Sequence, residues 1–109
     1  MFNWFKRKPK PKLRTLDEQL VSFLDLEPGW DSYDAPAISP LSVERARAIM
    51  AHEDTTRPDH ICPSRDGGVA ASWSKDKTYI EMEIYADGGI DLFVVPPDRE
   101  FSIYIGGLK

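Results

Sequence analysis

The run Thr78-Tyr79-Ile80-Glu81-Met82-Glu83-Ile84-Tyr85-Ala86-Asp87-Gly88-Gly89-Ile90-Asp91-Leu92-Phe93-Val94-Val95 decides the fold of this chain. Its apolar residues recur with a period of two, the spacing of a strand with one face buried. Ile80, Met82 and Ile84 take one side, and Tyr79, Glu81, Glu83 and Tyr85 take the other. Asp87-Gly88-Gly89 then interrupts the alternation with residues that reach positive φ cheaply, as a tight hairpin turn requires. Beyond it Ile90, Leu92 and Val94 alternate with Asp91, Phe93 and Val95. The run therefore reads as an antiparallel hairpin with one apolar face and one acidic, aromatic face.

The same period extends on both sides. Upstream, Val69, Ala71 and Trp73 share a face after Asp66-Gly67-Gly68, and Lys75-Asp76-Lys77 turns the chain into Thr78. His60-Ile61-Cys62 predicts a short edge strand ended by Pro63. Downstream, Pro96-Pro97 stops one strand, and Phe101 to Ile105 predicts the last, released at Gly106-Gly107. Both Asp-Gly-Gly turns join strand to strand, so they lack the strand-to-helix setting of a phosphate-binding loop.

Before residue 58 the period is helical. Thr15-Leu16-Asp17-Glu18 has capping-box spacing, and Leu16, Leu20, Phe23 and Leu24 form one stripe, predicting a helix over 16–25 that stops by Pro28-Gly29. Ser39-Pro40 combines a cap residue with proline at the first helical position. It starts a helix over 40–53 with Val43, Ala46, Ile49 and Met50 inward and Glu44, Arg45 and Arg47 outward. The fold class is α+β, with two N-terminal helices packed on one face of a four- to five-stranded antiparallel meander. Trp73, Ile80, Met82, Ile84, Ile90, Leu92, Val94, Ile103 and Ile105 form the sheet side of the core.

The 109 residues suit one domain over 13–109, preceded by a basic, aromatic tail over 1–12. That tail carries Lys6, Arg7, Lys8, Lys10 and Lys12 without an acid, leaving all 18 acids and only 9 of the 14 bases to the remainder. An acidic body repels phosphate backbones, which disfavours direct nucleic-acid binding and favours a protein partner with a basic surface. Phe2, Trp4 and Phe5 beside the lysines give the tail three readings: a flexible or self-packed arm, a weak membrane contact, or a partner-binding segment. The single cysteine, Cys62, excludes an internal disulfide. With no signal-peptide pattern, a cytoplasmic setting is expected.

The face formed by Tyr79, Glu81, Glu83, Tyr85, Asp91, Phe93 and Tyr104 is the candidate protein-binding site. It reads either as a binding platform or as a cross-strand aromatic ladder that stabilises an exposed sheet. Catalysis is not expected. Glu81 and Glu83 share a face as paired carboxylates do, but a flat sheet offers no pocket. His52, Glu53, Asp54, Asp59, His60 and Cys62 lack the ligand spacing of a zinc site, and nothing beside Cys62 and His60 indicates an oxyanion site. No metal or cofactor is expected.

One further segment stands out: Gly29-Trp30-Asp31-Ser32-Tyr33-Asp34-Ala35-Pro36. Gly29 is expected to supply a left-handed turn position and Asp31 to accept backbone N–H groups. Trp30 either packs between helices and sheet or meets a partner, and Asp31, Tyr33 and Asp34 also admit an acid–base reading. Over residues 26–50, which hold this segment and Ile38, and 58–92, which hold a hairpin, the chain resembles a set of small bacterial and mobile-element proteins carrying a Gly-Trp-Asp-x-Tyr-x-Ala motif. The resemblance implies no enzyme activity, cofactor or ligand. It implies a setting of plasmids, phages and chromosomal islands, where small acidic proteins act by binding other proteins. The expected function is a non-enzymatic acidic protein-binding module, with an inhibitor or antitoxin-like neutraliser of a basic or nucleic-acid-binding protein as its finer reading. The alternatives are a homo-oligomer joined through the tyrosine face or a strand edge, and a small hydrolytic enzyme.

Overall fold

A computed structural model describes residues 15–98 and 102–108. The tail over 1–12 and the start of the last strand at Phe101 lie outside the described residues. The fold is α+β, with two helices followed by a five-stranded antiparallel sheet in the order β1-β2-β3-β4-β5. The elements are α1 (Leu16–Ser22), a 3-10 turn (Phe23–Asp25), α2 (Pro40–Ala51), β1 (His60–Pro63), β2 (Val69–Lys75), β3 (Thr78–Ile84), β4 (Ile90–Val95) and β5 (Ile103–Leu108).

Local chemistry explains where each helix begins. Thr15 Oγ1 accepts from the Glu18 N–H at 3.1 Å, and Glu18 Oε1 accepts from the Thr15 N–H at 2.9 Å, closing the capping box. Ser39 caps α2 by accepting the Ser42 N–H at 3.2 Å, with Pro40 in the first turn where its missing donor costs nothing. Asp17 accepts two bonds from Arg47, at 2.6 and 3.1 Å, and so links α1 to α2.

Both Asp-Gly-Gly turns are built alike. Asp66 Oδ1 accepts the Gly68 N–H at 3.2 Å, and Asp87 Oδ1 accepts the Gly89 N–H at 2.8 Å. The turns then meet the start of α2. Ser39 donates its N–H to the Gly67 carbonyl at 2.8 Å and its hydroxyl to the Ala86 carbonyl at 2.7 Å. Ser42, fully buried, donates to the Ser39 carbonyl at 2.8 Å. The third turn needs no glycine, because Asp76 and Lys77 adopt φ of 51° and 67° between β2 and β3, as a two-residue hairpin demands.

The core joins Leu20, Ile38, Val43 and Ala46 to Val69, Ala71, Met82 and Ile84. Cross-strand register explains the sheet's share: Val69 faces Ile84, Ala71 faces Met82, and Trp73 faces Ile80. Helix α2 lies against β2 and β3. Three expectations are corrected. Ile103 and Ile105 have the core phase but are 45% and 44% exposed, because the core does not extend to β5. Arg45 is half-buried rather than outward, with its Nε close to Gly88. Gly106-Gly107 does not release the last strand. It forms a bulge, since Ile90 pairs with Leu108 and Leu92 with Ile105, which leaves two residues opposite Asp91.

Ile84 is completely buried. Ile84→Ala is expected to lower unfolding free energy by about 2–5 kcal/mol in urea titrations. Gly68→Ala is expected to destabilise the fold as well, because an added Cβ would collide with the Ile84 carbonyl oxygen.

Candidate functional site

Register places the seven candidate residues on one side of the sheet. Glu81 sits opposite Phe93, Glu83 opposite Asp91, Tyr79 opposite Val95, and Phe93 opposite Tyr104. Tyr85 follows the end of β3, where its N–H donates to the Gly89 carbonyl at 2.8 Å. From β1 and β2, His60, Cys62, Ala70 and Ser72 carry the same phase outward. Among the described residues of the five strands, no Lys or Arg occupies this phase.

Asp91 is the hub of this face. Its Oδ2 accepts from the Tyr85 hydroxyl at 2.6 Å and the Tyr104 hydroxyl at 2.8 Å, while Oδ1 accepts the Gly107 N–H at 3.1 Å. The bulge therefore brings a backbone donor to a carboxylate that two tyrosines already hold. Hydrogen bonds from Tyr85 and Tyr104 keep the Asp91 carboxyl below the usual aspartate range, against some burial, with Gly107 adding to the effect. The same bonds raise both phenols, since each is hydrogen-bonded to a carboxylate and partly desolvated. Neither tyrosine is suited to lose its proton at neutral pH. Tyr104 remains 64% exposed and lies over Gly106, where any Cβ would meet its ring and hydroxyl.

The two glutamates differ. Glu81 is exposed and accepts from the Tyr79 hydroxyl at 3.0 Å. Glu83 is half-buried and accepts from the Ser64 hydroxyl at 2.9 Å. Burial raises the Glu83 carboxyl, and the nearby charges of Asp66, Glu81 and Asp91 add to the rise while Ser64 opposes it. Burial also raises the Cys62 thiol, helped by Glu81 and Glu83, which keeps it protonated and weakly nucleophilic. The depression bordered by Glu81, Glu83, Tyr85, Asp91, Phe93 and Tyr104 measures only 150 Å³. Small-molecule sites typically offer about 300–1,000 Å³, so this depression is smaller than most of them. Among the described residues, no three His, Cys, Asp or Glu side chains gather into a metal-binding group.

The Gly29–Tyr33 segment lies apart from this face. Gly29 adopts φ of 86° and Ser32 of 71°, and the Gly29 N–H donates to the Ala35 carbonyl at 2.7 Å. Trp30 is half-buried against the core, and its indole donates to the Pro36 carbonyl at 2.9 Å. Asp31, with a side chain only 10% exposed, accepts from the N–H groups of Tyr33 and Ala35 and from Arg65. Burial works against its ionisation, yet those three bonds hold its carboxyl below the ordinary range. Tyr33 points outward, 77% exposed, with the Arg65 guanidinium 5.8 Å from its ring centroid. The three sequence candidates for acid–base chemistry thus separate: Asp31 holds the turn, while Tyr33 and Asp34 are exposed.

Sequence reasoning did not identify the open groove of 420 Å³ between residues 55–59 and the sheet, lined by Arg57, Asp59, Trp73, Lys75, Ile80 and Leu92. Trp73 was assigned to a closed core, and only the passage of the 55–59 loop beside it creates a cleft. Among the described residues, no helix is long and apolar enough to cross a membrane. Comparison with known proteins finds no matching family model, no similar curated protein and no similar solved structure.

Opposite pH responses follow for Asp91 and Glu83. A depressed folded pKa adds stability above the ordinary aspartate value that is lost as pH falls through the folded value. The stability gap between the wild type and Asp91→Asn should therefore narrow under acid. A raised folded pKa makes ionised Glu83 a cost. Glu83→Gln should raise the melting temperature at neutral pH, with the gain disappearing below the ordinary glutamate value of about 4.3. Thermal melts across pH check both.

Proposed function

We propose that this chain is a non-enzymatic protein-binding module that neutralises a protein with a basic, nucleic-acid-binding surface. The observation that carries the reading is the face on which Glu81, Glu83 and Asp91 lie among Tyr79, Tyr85, Phe93 and Tyr104, without a strand Lys or Arg among the described residues. Such a face complements a groove built to hold phosphates, and complementary charge steers encounter and fixes register. Three of its tyrosine hydroxyls are already hydrogen-bonded, which lowers the side-chain entropy lost on binding. The core contacts of α2 use the alternate residues Val69, Ala71, Met82 and Ile84 of β2 and β3, so the positions of this face stay available to a partner. The resemblance to mobile-element proteins with the Gly-Trp-Asp-x-Tyr motif points the same way.

The geometry narrows which residues carry affinity. Asp91 is committed to its tyrosines and the bulge, and Glu83 to Ser64. The most accessible contact elements are Glu81, which accepts one bond from Tyr79, and the rings of Phe93 and Tyr104, all exposed. A second reading rests on the exposed Ile103 and Ile105, which two copies of the chain would bury against each other. Mass measurement in solution separates the two, since a monomer at high micromolar concentration leaves no role for that contact.

The chain used as bait on host lysate is expected to retain a basic protein. The double variant Glu81→Arg with Phe93→Ala, which leaves the Asp91 hub intact, is expected to weaken that complex by at least about 10-fold, or about 1.4 kcal/mol. Equal retention by both baits, or no retained protein, would overturn the reading.

A further inference from the structure

We propose that the groove between residues 55–59 and the core-phase side of the sheet binds a small amphipathic organic anion, an apolar body ending in a carboxylate. Its floor is apolar: Trp73 and Ile80 face each other across β2 and β3, and Leu92 follows on β4. Its wall is tied down. The Trp73 indole donates to the Thr56 carbonyl at 2.7 Å, and the Thr55 hydroxyl donates to the Ile49 carbonyl at 2.8 Å. The Asp59 N–H donates to the Ser72 carbonyl at 2.8 Å, and Asp59 Oδ2 accepts the Ser74 N–H at 2.6 Å. A site held by four such bonds exists before its ligand arrives, so little ordering cost is left for binding. Its 420 Å³ falls within the about 300–1,000 Å³ common for small-molecule sites.

The rim decides the class of ligand. Arg57 and Lys75 both line the groove, and neither has an acidic partner among the described residues. The one carboxylate there, Asp59, is engaged by the Ser74 N–H. On a chain of net charge −4, two unpaired cations above an apolar floor reverse the local sign. An apolar body would rest on Trp73, Ile80 and Leu92, while a carboxylate met the Arg57 guanidinium in its preferred two-bond geometry, with Lys75 as a point charge. The chain's own N-terminal aromatics are a poorer match, because five basic residues and no acid accompany them.

The probe is decanoate below its micelle concentration, titrated into the full chain and followed by calorimetry and tryptophan fluorescence. One saturable site is expected, with decyltrimethylammonium, of equal chain length and opposite charge, binding at least tenfold more weakly. Arg57→Glu with Lys75→Glu, both at exposed positions, should weaken decanoate at least tenfold while leaving the melting temperature unchanged. Equal affinity for the two probes, unsaturable uptake, or undiminished binding by that variant would overturn the proposal. A tenfold gain in decanoate affinity on replacing Phe2, Trp4 and Phe5 with Ser in the full chain would identify the N-terminal segment as the occupant and overturn it too. Affinity that falls as protein concentration rises would do the same in favour of a second copy.

Discussion

The docking of the α2 N-terminus onto two hairpin turns is the constraint on which the rest of this molecule depends. Ser39 bonds through its N–H to the first turn at Gly67 and through its hydroxyl to the second at Ala86. A single capping residue therefore sets the helix start, the distance between two turns and the seating of helix on sheet. From there Val43 and Ala46 reach the core, where Val69, Ala71 and Ile84 complete it. The approach is close enough to select glycine: a Cβ on Gly67 would press on Ala37 and Pro36, and one on Gly88 would press on Arg45 and Leu41. The two Asp-Gly-Gly turns thus also serve as contact surfaces for a helix.

With the sheet's buried core concentrated on β2 and β3, the two sides of the sheet acquire different chemistry. One side is acidic and hydroxyl-rich, and its side chains are bonded to one another through Asp91 and Glu81. The other grades from closed core to an open cleft rimmed by cations. The difference follows from length. Helix α2 ends at Ala51, and the chain then runs past Trp73 as a loop held by its own hydrogen bonds. A longer helix would have covered Trp73 and Ile80 and closed the cleft.

What could be read in the sequence, and what could not, divides along the range of the interactions. The α+β class, the antiparallel strands and both helix starts were legible because alternation, capping boxes and Asp-Gly-Gly turns are signals carried within a few residues. Gly106-Gly107 was misread as a strand end because glycine marks a bulge and a break with the same letters. What distinguishes them is the Asp91 carboxylate, 16 residues upstream of the Gly107 N–H it accepts. Arg45 was misplaced for a similar reason, since helical periodicity says nothing of a hairpin turn arriving from elsewhere. The candidate face was legible as a set of positions. Its hydrogen bonds were not, so Asp91 and Glu81 looked equivalent although one is occupied and the other exposed.

The bulge in β5 also bears on how far the sheet can grow. With two residues opposing one, the outer row of backbone donors and acceptors falls out of step along β5, so an incoming straight strand could match only part of it. At the other border β1 is four residues long and ends in Pro63, which has no N–H to offer. Both borders are therefore poor templates. A chain exposing isoleucines on one side and aromatics on the other is the kind at risk of stacking into fibres. Here the limit on self-propagation is written into the backbone at the two margins rather than into the composition of the faces.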